Sequence, residues 1–261
     1  MSELPPSPPP KPKLLPGLLL IFALLAVAVV IAIKVPIASP PAAPWLSKER
    51  AGFLGGGRVA GHRAQCINDM RCIALALLNY ESTHGCFPPV YTTDADGQPL
   101  HSWRVLILPY LEQTPLYEAI RLDEPWNSPH NTAFHRESIR IFQCPSMDYR
   151  PGECAYSVIV GPGTVFEEDG QSISVDDITN GTANTILLVE RAVPLDCWMD
   201  PTREITLDEA KKGVDVSSDG IGSRHPGGTN AAFCDSSVRF LINTITPPLL
   251  EEKLIRNHTA P

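Results

Sequence analysis

RAQCINDMRCIALALLNYESTHGCFPP, residues 63–89, decides how the chain is read. Cys66, Met70, Ile73, Leu77 and Tyr80 recur three or four residues apart, and Ile67, Ala74 and Leu78 widen the same stripe. Side chains so spaced share one face of an α-helix, because 3.6 residues complete a turn. Arg63, Asp69, Arg71 and Glu81 fall mostly on the other side. Gly85 is placed to cap the C-terminus, and Pro88-Pro89 forbids continuation. An amphipathic helix of this length needs an apolar layer to cover.

The following stretch, HSWRVLILPYLEQTPLYEAIRLDEPWNSPHN (residues 101–131), is dense in Trp, Tyr, Pro and aliphatic side chains. Ser102 is positioned to N-cap a short helix through Leu111, although Pro109 interrupts it and the apolar run would also suit a strand. Thr114-Pro115 reads as an N-cap and N1 pair opening a helix to about Arg121, and Ser128-Pro129 repeats the device for 130–137. From Ser138 the period falls to two. IRIFQC, AYSVIVG, ISVDDI, NTILLVE, NAAFC and VRFLI are short β-type runs parted by Gly, Pro, Asn and Asp. A last helix is expected at 247–256, with Thr246 as cap and Pro247 at N1. Helices followed by strands, without regular alternation, predict an α+β domain over 62–261, its long first helix packed on a mostly antiparallel sheet.

Upstream, residues 1–13 form a Pro-rich polar tail. Leu14–Ile33 is an uncharged run of twenty residues, long enough at ~1.5 Å per residue to cross ~30 Å of hydrocarbon. It is expected to be a transmembrane anchor rather than a cleaved signal, with the large domain outside. Residues 34–61 are expected to be a linker in which Pro40, Pro41, Pro44 and Gly55–Gly57 each interrupt any helix.

The 261 residues carry a net charge of −8, which repels phosphate backbones and argues against a nucleic-acid partner. Seven cysteines, none in C-x-x-C spacing, argue against a zinc ribbon or a thioredoxin motif. Cys144 and Cys154 bracket a Pro/Gly loop and are the expected pair if the domain is extracytoplasmic; buried unpaired thiols are the plainer reading.

Candidate chemistry is sparse. His84, Cys86, His101 and His130 lack ligand spacing and are expected to hold loops rather than a metal. Trp103, Tyr110, Tyr117 and Trp126 form a candidate binding patch, with a filled core between helix and sheet as the preferred alternative. Ser102 and Ser157 lack a nucleophile-elbow context. Glu167-Glu168-Asp169 and Asp176-Asp177 read as solvated turns in preference to a weak calcium site, and the Asn180 and Asn257 sequons as turn chemistry. No catalytic residue, cofactor or metal is expected.

The segment at 63–89, with SWRVLILPYLEQ, EPWNSPHN, FQCPS, DITNGTANTILLVE and RHPGGTNAAFCDSSVRFL, resembles in order a large family of bacterial envelope proteins of unknown function. Members usually carry prepilin-like N-termini and a C-terminal His, nine residues, then Asp-Gly. Here that motif is His225, PGGTNAAFC and Asp235-Ser236, with Ser236 in place of the Gly. The resemblance implies a pseudopilin-like domain in which His225, Gly227, Gly228 and Asp235 serve structure. As a hairpin, Thr229–Cys234 and Val238–Leu241 set His225 and Asp235 apart, which disfavours an acid/base pair with Cys234 as nucleophile. Ser236 at a turn position suited to Gly should cost about 1 kcal/mol or shift the turn type. The prepilin leader and its Phe-Thr-Leu-Ile-Glu start are not found around residue 14, so an ordinary anchor is expected. The expectation is a membrane-anchored, non-enzymatic envelope protein with a structural, assembly or secretion role. Its partners would be the lipid bilayer through 14–33 and envelope or secretion-system proteins. The alternative is an extracytoplasmic binding module for a small ligand or polysaccharide.

Overall fold

The computed structural model describes residues 46–168, 173–214 and 219–257. The expected span at 14–33, the linker prolines, Asp169 and the end of the second sequon lie outside them. Among the described residues no helix is long and apolar enough to cross a membrane.

The first described element, α1 (Leu46–His84), runs straight through Gly55–Gly57. The expected interruption there does not occur. Glycine lowers helix propensity by about 1 kcal/mol but, unlike proline, keeps its N–H and adds no clash. Gly85 closes the helix at φ 80°, its N–H donating to the Glu81 carbonyl at 2.7 Å. The compact unit Leu54–Pro261 contains every strand among the described residues.

A hairpin of β1 (Tyr91–Thr93) and β2 (Pro99–Ser102) follows, then α2 (Trp103–Leu106), a 3₁₀ turn at Leu108–Leu111 and α3 (Thr114–Ala119). Pro109 splits the helix expected over 103–111 into two pieces. Gln113, not Thr114, is the N-cap of α3. The Ser128-Pro129 device yields a 3₁₀ turn at Asn131–Phe134, with Ser128 Oγ accepting the Asn131 N–H at 3.1 Å.

The main sheet has four antiparallel strands in the order β3 (Cys154–Ser157), β5 (Ile186–Leu195), β7 (Gly228–Phe233) and β8 (Val238–Ile242). The α+β class with antiparallel pairing is therefore observed. A short parallel pair, β4 (Ile159–Val160) with β6 (Ile205–Thr206), departs from it. Two expected strands are absent. IRIFQC turns as 3₁₀ at Arg140–Phe142, burying Ile139 and Phe142 three residues apart against the α1 side of the core. ISVDDI becomes a 3₁₀ turn at Val175–Asp177, held by a reciprocal Ser174–Asp177 capping box.

The sheet is covered on both faces. Cys66, Met70, Ile73 and Leu77 of α1 pack with Trp103, Phe142, Tyr156, Leu188 and Ala232. Val189, Ala231, Phe233 and Leu241 face the other way, onto Ile205, Leu207 of α4 (Leu207–Ala210), and Leu250 and Leu254 of α5 (Pro247–Leu254). Strand alternation sends neighbouring residues to opposite layers.

Candidate functional site

Register places a polar row in the layer beneath α1. Tyr156 of β3 opposes Glu190 of β5, and Asn230 of β7 opposes Phe240 of β8. One step along from the Val189–Ala231 pair, Glu190 lies beside Asn230. All three polar residues are essentially without solvent exposure. Glu190 Oε2 accepts the Asn230 N–H at 2.6 Å and the Thr229 hydroxyl at 3.2 Å. Glu190 Oε1, the Tyr156 hydroxyl and both Asn230 amide atoms have no hydrogen-bond partner. Orphaned buried polar atoms cost about 1–3 kcal/mol each, so this concentration in one place is unusual.

Against this row lies a disulfide, Cys66–Cys144, with the two Cα atoms 5.4 Å apart. It is not the expected Cys144–Cys154 pair. Cys154 is a free, buried thiol pointed at the Tyr156 carbonyl, its pKa raised by burial. Cys154 begins β3 and is held in the sheet, whereas Cys144 is carried beneath α1 by the turn at Arg140–Phe142. A disulfide links α1 to the loop before the sheet across 78 residues.

His225 completes the group. Its Nε2 is 3.5 Å from Cys144 Sγ and 3.2 Å from Glu190 Oε1, the latter without an aligned hydrogen bond, and its Nδ1 is 3.3 Å from Ser146 Oγ. Ser223 fixes the approach: its hydroxyl accepts the His225 N–H at 3.0 Å and donates to the Gly228 carbonyl at 2.8 Å. One ligand-type atom from each of Cys66, Cys144, Glu190 and His225 lies within 4.8 Å of the other three, all buried.

The remaining motif residues lie in and around the β7–β8 hairpin. Gly227 turns at φ 86°, and a Cβ on Gly228 would lie 2.0 Å from the Leu241 carbonyl oxygen. Asp235 Oδ1 accepts from the Ser237 N–H and hydroxyl at 2.9 and 2.6 Å, and Ser236 sits at φ 63°. His225 and Asp235 lie at opposite ends of β7, as the hairpin reading expects. Burial pushes the Cys234 thiol well above its ordinary range, with Asp235 adding to the rise, which disfavours the thiolate.

Trp103 is completely enclosed, and its indole N–H donates to Glu204 at 3.0 Å. Tyr110, Tyr117 and Trp126 are half-buried against the same core. Tyr110 meets Tyr80 edge-on, and Trp126 stacks on His135. The four therefore do not present one continuous open surface. His84 stacks on Tyr80, while His101 Nε2 and His130 Nε2 face the carbonyls of Arg121 and Ala119. Asp177 caps its turn, Glu167 pairs with Arg256, and the Asn180 amide donates to the carbonyls of Glu252 and Ile255. Ser157 accepts from Arg191, and Ser102 donates to the Trp198 carbonyl.

Sequence reasoning missed Glu190 altogether and paired His225 only with Asp235 and Cys234, not with Cys66 or Cys144. A carboxylate directly after the apolar run ILLV, inside the strand that continues to Leu195, was the available signal, since an acidic residue in a buried strand needs dedicated partners.

The family described as "Protein of unknown function (DUF1559)" matches residues 57–160 and 196–247, more than half of the chain. The chain belongs to the DUF1559 family. No curated protein and no solved structure matches it. Within the DUF1559 match lie Cys66, Cys144 and His225, whereas Glu190 falls in the segment between the two matched parts.

Proposed function

We propose that this DUF1559 protein is a membrane-anchored, non-enzymatic envelope protein. On this reading residues 14–33 hold it in the bilayer, and a pseudopilin-like domain outside the cytoplasm has an assembly, scaffolding or secretion-related role. The observation that carries the reading is the Cys66–Cys144 disulfide. Disulfides persist in oxidising compartments and are rare where thiols are kept reduced. A cross-link spanning 78 residues also suits a load-bearing domain, because closing so long a loop stabilises by about 4.5 kcal/mol in the chain-entropy account. The places of two motif residues support a structural role: His225 lies buried in the core and Asp235 on a turn.

The test combines topology with redox state. Protease added to intact spheroplasts is expected to digest the domain, and peptide mapping after alkylation in the cell to recover Cys66 joined to Cys144. Full protection, or two free thiols in the native protein, overturns the reading. Cross-linking is expected to recover envelope or secretion-system proteins; a partnerless monomer counts against assembly.

The runner-up is a binding module. It is supported by the partial exposure of Tyr110, Tyr117 and Trp126, but loses Trp103, whose ring has no solvent-facing surface. Loss of polysaccharide binding in a folded Trp126→Ala chain would favour it.

A further inference from the structure

We propose that Cys66, Cys144, His225 and Glu190 form a tetrahedral site for zinc when the two cysteines are reduced, and that the disulfide is the closed, metal-free state of the same centre.

The donor set is one that zinc takes: two thiolates, an imidazole and a carboxylate. Bonds of about 2.3 Å to sulfur and about 2.0–2.1 Å to nitrogen or oxygen set tetrahedral edges of roughly 3.5 Å between S and N and roughly 3.3 Å between N and O. The corresponding separations are 3.5 Å from Cys144 Sγ to His225 Nε2 and 3.2 Å from that nitrogen to Glu190 Oε1. All four ligand atoms fall within 4.8 Å of one another. Two edges of the tetrahedron are thus in place, and on reduction the bonded sulfurs need to part to roughly 3.8 Å to complete it.

Two further observations point to an ion. Glu190 Oε1 is buried and lacks a hydrogen bond, while Oε2 is held by the Asn230 amide and the Thr229 hydroxyl. A carboxylate clamped through one oxygen with the other aimed into a cluster of donors is the arrangement of a monodentate ligand. Likewise the Nε2 face of His225 is turned to the sulfur and the carboxylate, leaving Nδ1 against Ser146 Oγ at 3.3 Å. With zinc on Nε2, the Nδ1 proton is donated to that hydroxyl, which fixes the ring and its tautomer. The unpartnered Tyr156 hydroxyl and Asn230 amide border the same carboxylate and provide neutral groups around a centre whose ligands carry net negative charge.

The conversion balances with a dithiol as reductant. The Cys66–Cys144 bond accepts two electrons from the dithiol, which becomes its own disulfide. Two sulfur–zinc bonds form, and the dithiol's two protons pass to solvent. The metal then joins α1, the loop at 144 and the sheet, the same three parts that the disulfide and His225 hold together.

The experiment uses the full chain, reduced with a dithiol, desalted anaerobically and exposed to zinc. One zinc per reduced chain and none per oxidised chain is the expected result. X-ray absorption should find two sulfur and two nitrogen or oxygen neighbours, and cobalt substitution a thiolate charge-transfer band. Glu190→Gln should weaken zinc binding at least tenfold and Cys144→Ser abolish it, with Cys72→Ser and Cys86→Ser unaffected. A reduced, folded chain that takes no zinc overturns the proposal, as does retention of zinc by Cys144→Ser or its loss in Cys72→Ser. Should the ligand variants fail to fold, the X-ray absorption of the natural chain decides: three or more sulfur neighbours, or none, overturns the proposal.

Discussion

Arg104 meets Glu204 in the interior, with 0% of the arginine side chain and 4% of the glutamate side chain exposed. Glu204 Oε2 also accepts the Val158 N–H at 3.1 Å, and Arg104 Nη2 donates to the Tyr156 carbonyl at 2.6 Å. Desolvation pulls the guanidinium pKa down, but the charge and hydrogen bonds of Glu204 more than reverse this and leave it above its ordinary value. The pair joins α2, β3 and the chain just before β6, and through Trp103 it ties the aromatic segment to the sheet.

Glu204→Gln removes the charge that compensates Arg104. A buried ion stripped of its partner costs about 3–5 kcal/mol, so urea denaturation should show a loss of that order. Arg104→Met combined with Glu204→Leu removes both charges and should recover most of it. A double variant no more stable than Glu204→Gln alone would show that the pair is not the source of the loss.

The motif hairpin gives opposite predictions at two positions. Gly228→Ala drives a methyl group into the Leu241 carbonyl, where backbone rather than a flexible side chain must yield. The strand pair has to separate, and a loss of about 2–4 kcal/mol is expected in denaturant titrations. Ser236→Gly relieves a serine held at φ 63° and should stabilise by about 0.5–1 kcal/mol.

Asn131 organises the EPWNSPHN segment from inside it. Its amide nitrogen donates to the carbonyls of Arg121, Glu124 and Pro125, and its side-chain oxygen accepts the Arg121 N–H at 3.0 Å. Asn131→Ala orphans these groups and should cost about 2–4 kcal/mol, read as a fall in thermal midpoint. Asn131→Asp keeps the acceptor but loses the donors and should fare little better.

Burial raises the carboxyl pKa of Asp69, and the Gln65 hydrogen bond and the charge of Arg140 offset only part of that. A raised folded pKa means protons are taken up on folding. The associated stability is present below the unfolded value of 3.8 and lost as pH rises through the folded one. Asp69→Asn should therefore be more stable than the parent near neutral pH, with the gain shrinking toward pH ~4, in chemical denaturation at the two pH values.

Much of the architecture is legible locally. The apolar stripe of residues 66–80, Gly85 with the prolines behind it, and the Val238–Ile242 strand depend on periodicity and turn chemistry within a few residues. Asp235-Ser236 reads as a tight turn for the same reason, and Ser236 does adopt a positive φ. IRIFQC was misread because a short apolar run fits a strand and a 3₁₀ turn equally well; burial of Ile139 and Phe142 on one side decided between them.

The sequence by itself therefore determined the class of fold, the family motifs and the acidic character that argues against nucleic acid. Only the tertiary structure decided which cysteines meet. Cys154 is ten residues from Cys144 and Cys66 is 78 away, yet pairing follows distance in space, and α1 lies over the loop while β3 leads away from it. The same holds for the centre at His225. Its four donors come from α1, the loop at 144, β5 and the segment before β7, so no local spacing announces them, and only the packing of α1 on the sheet brings them together.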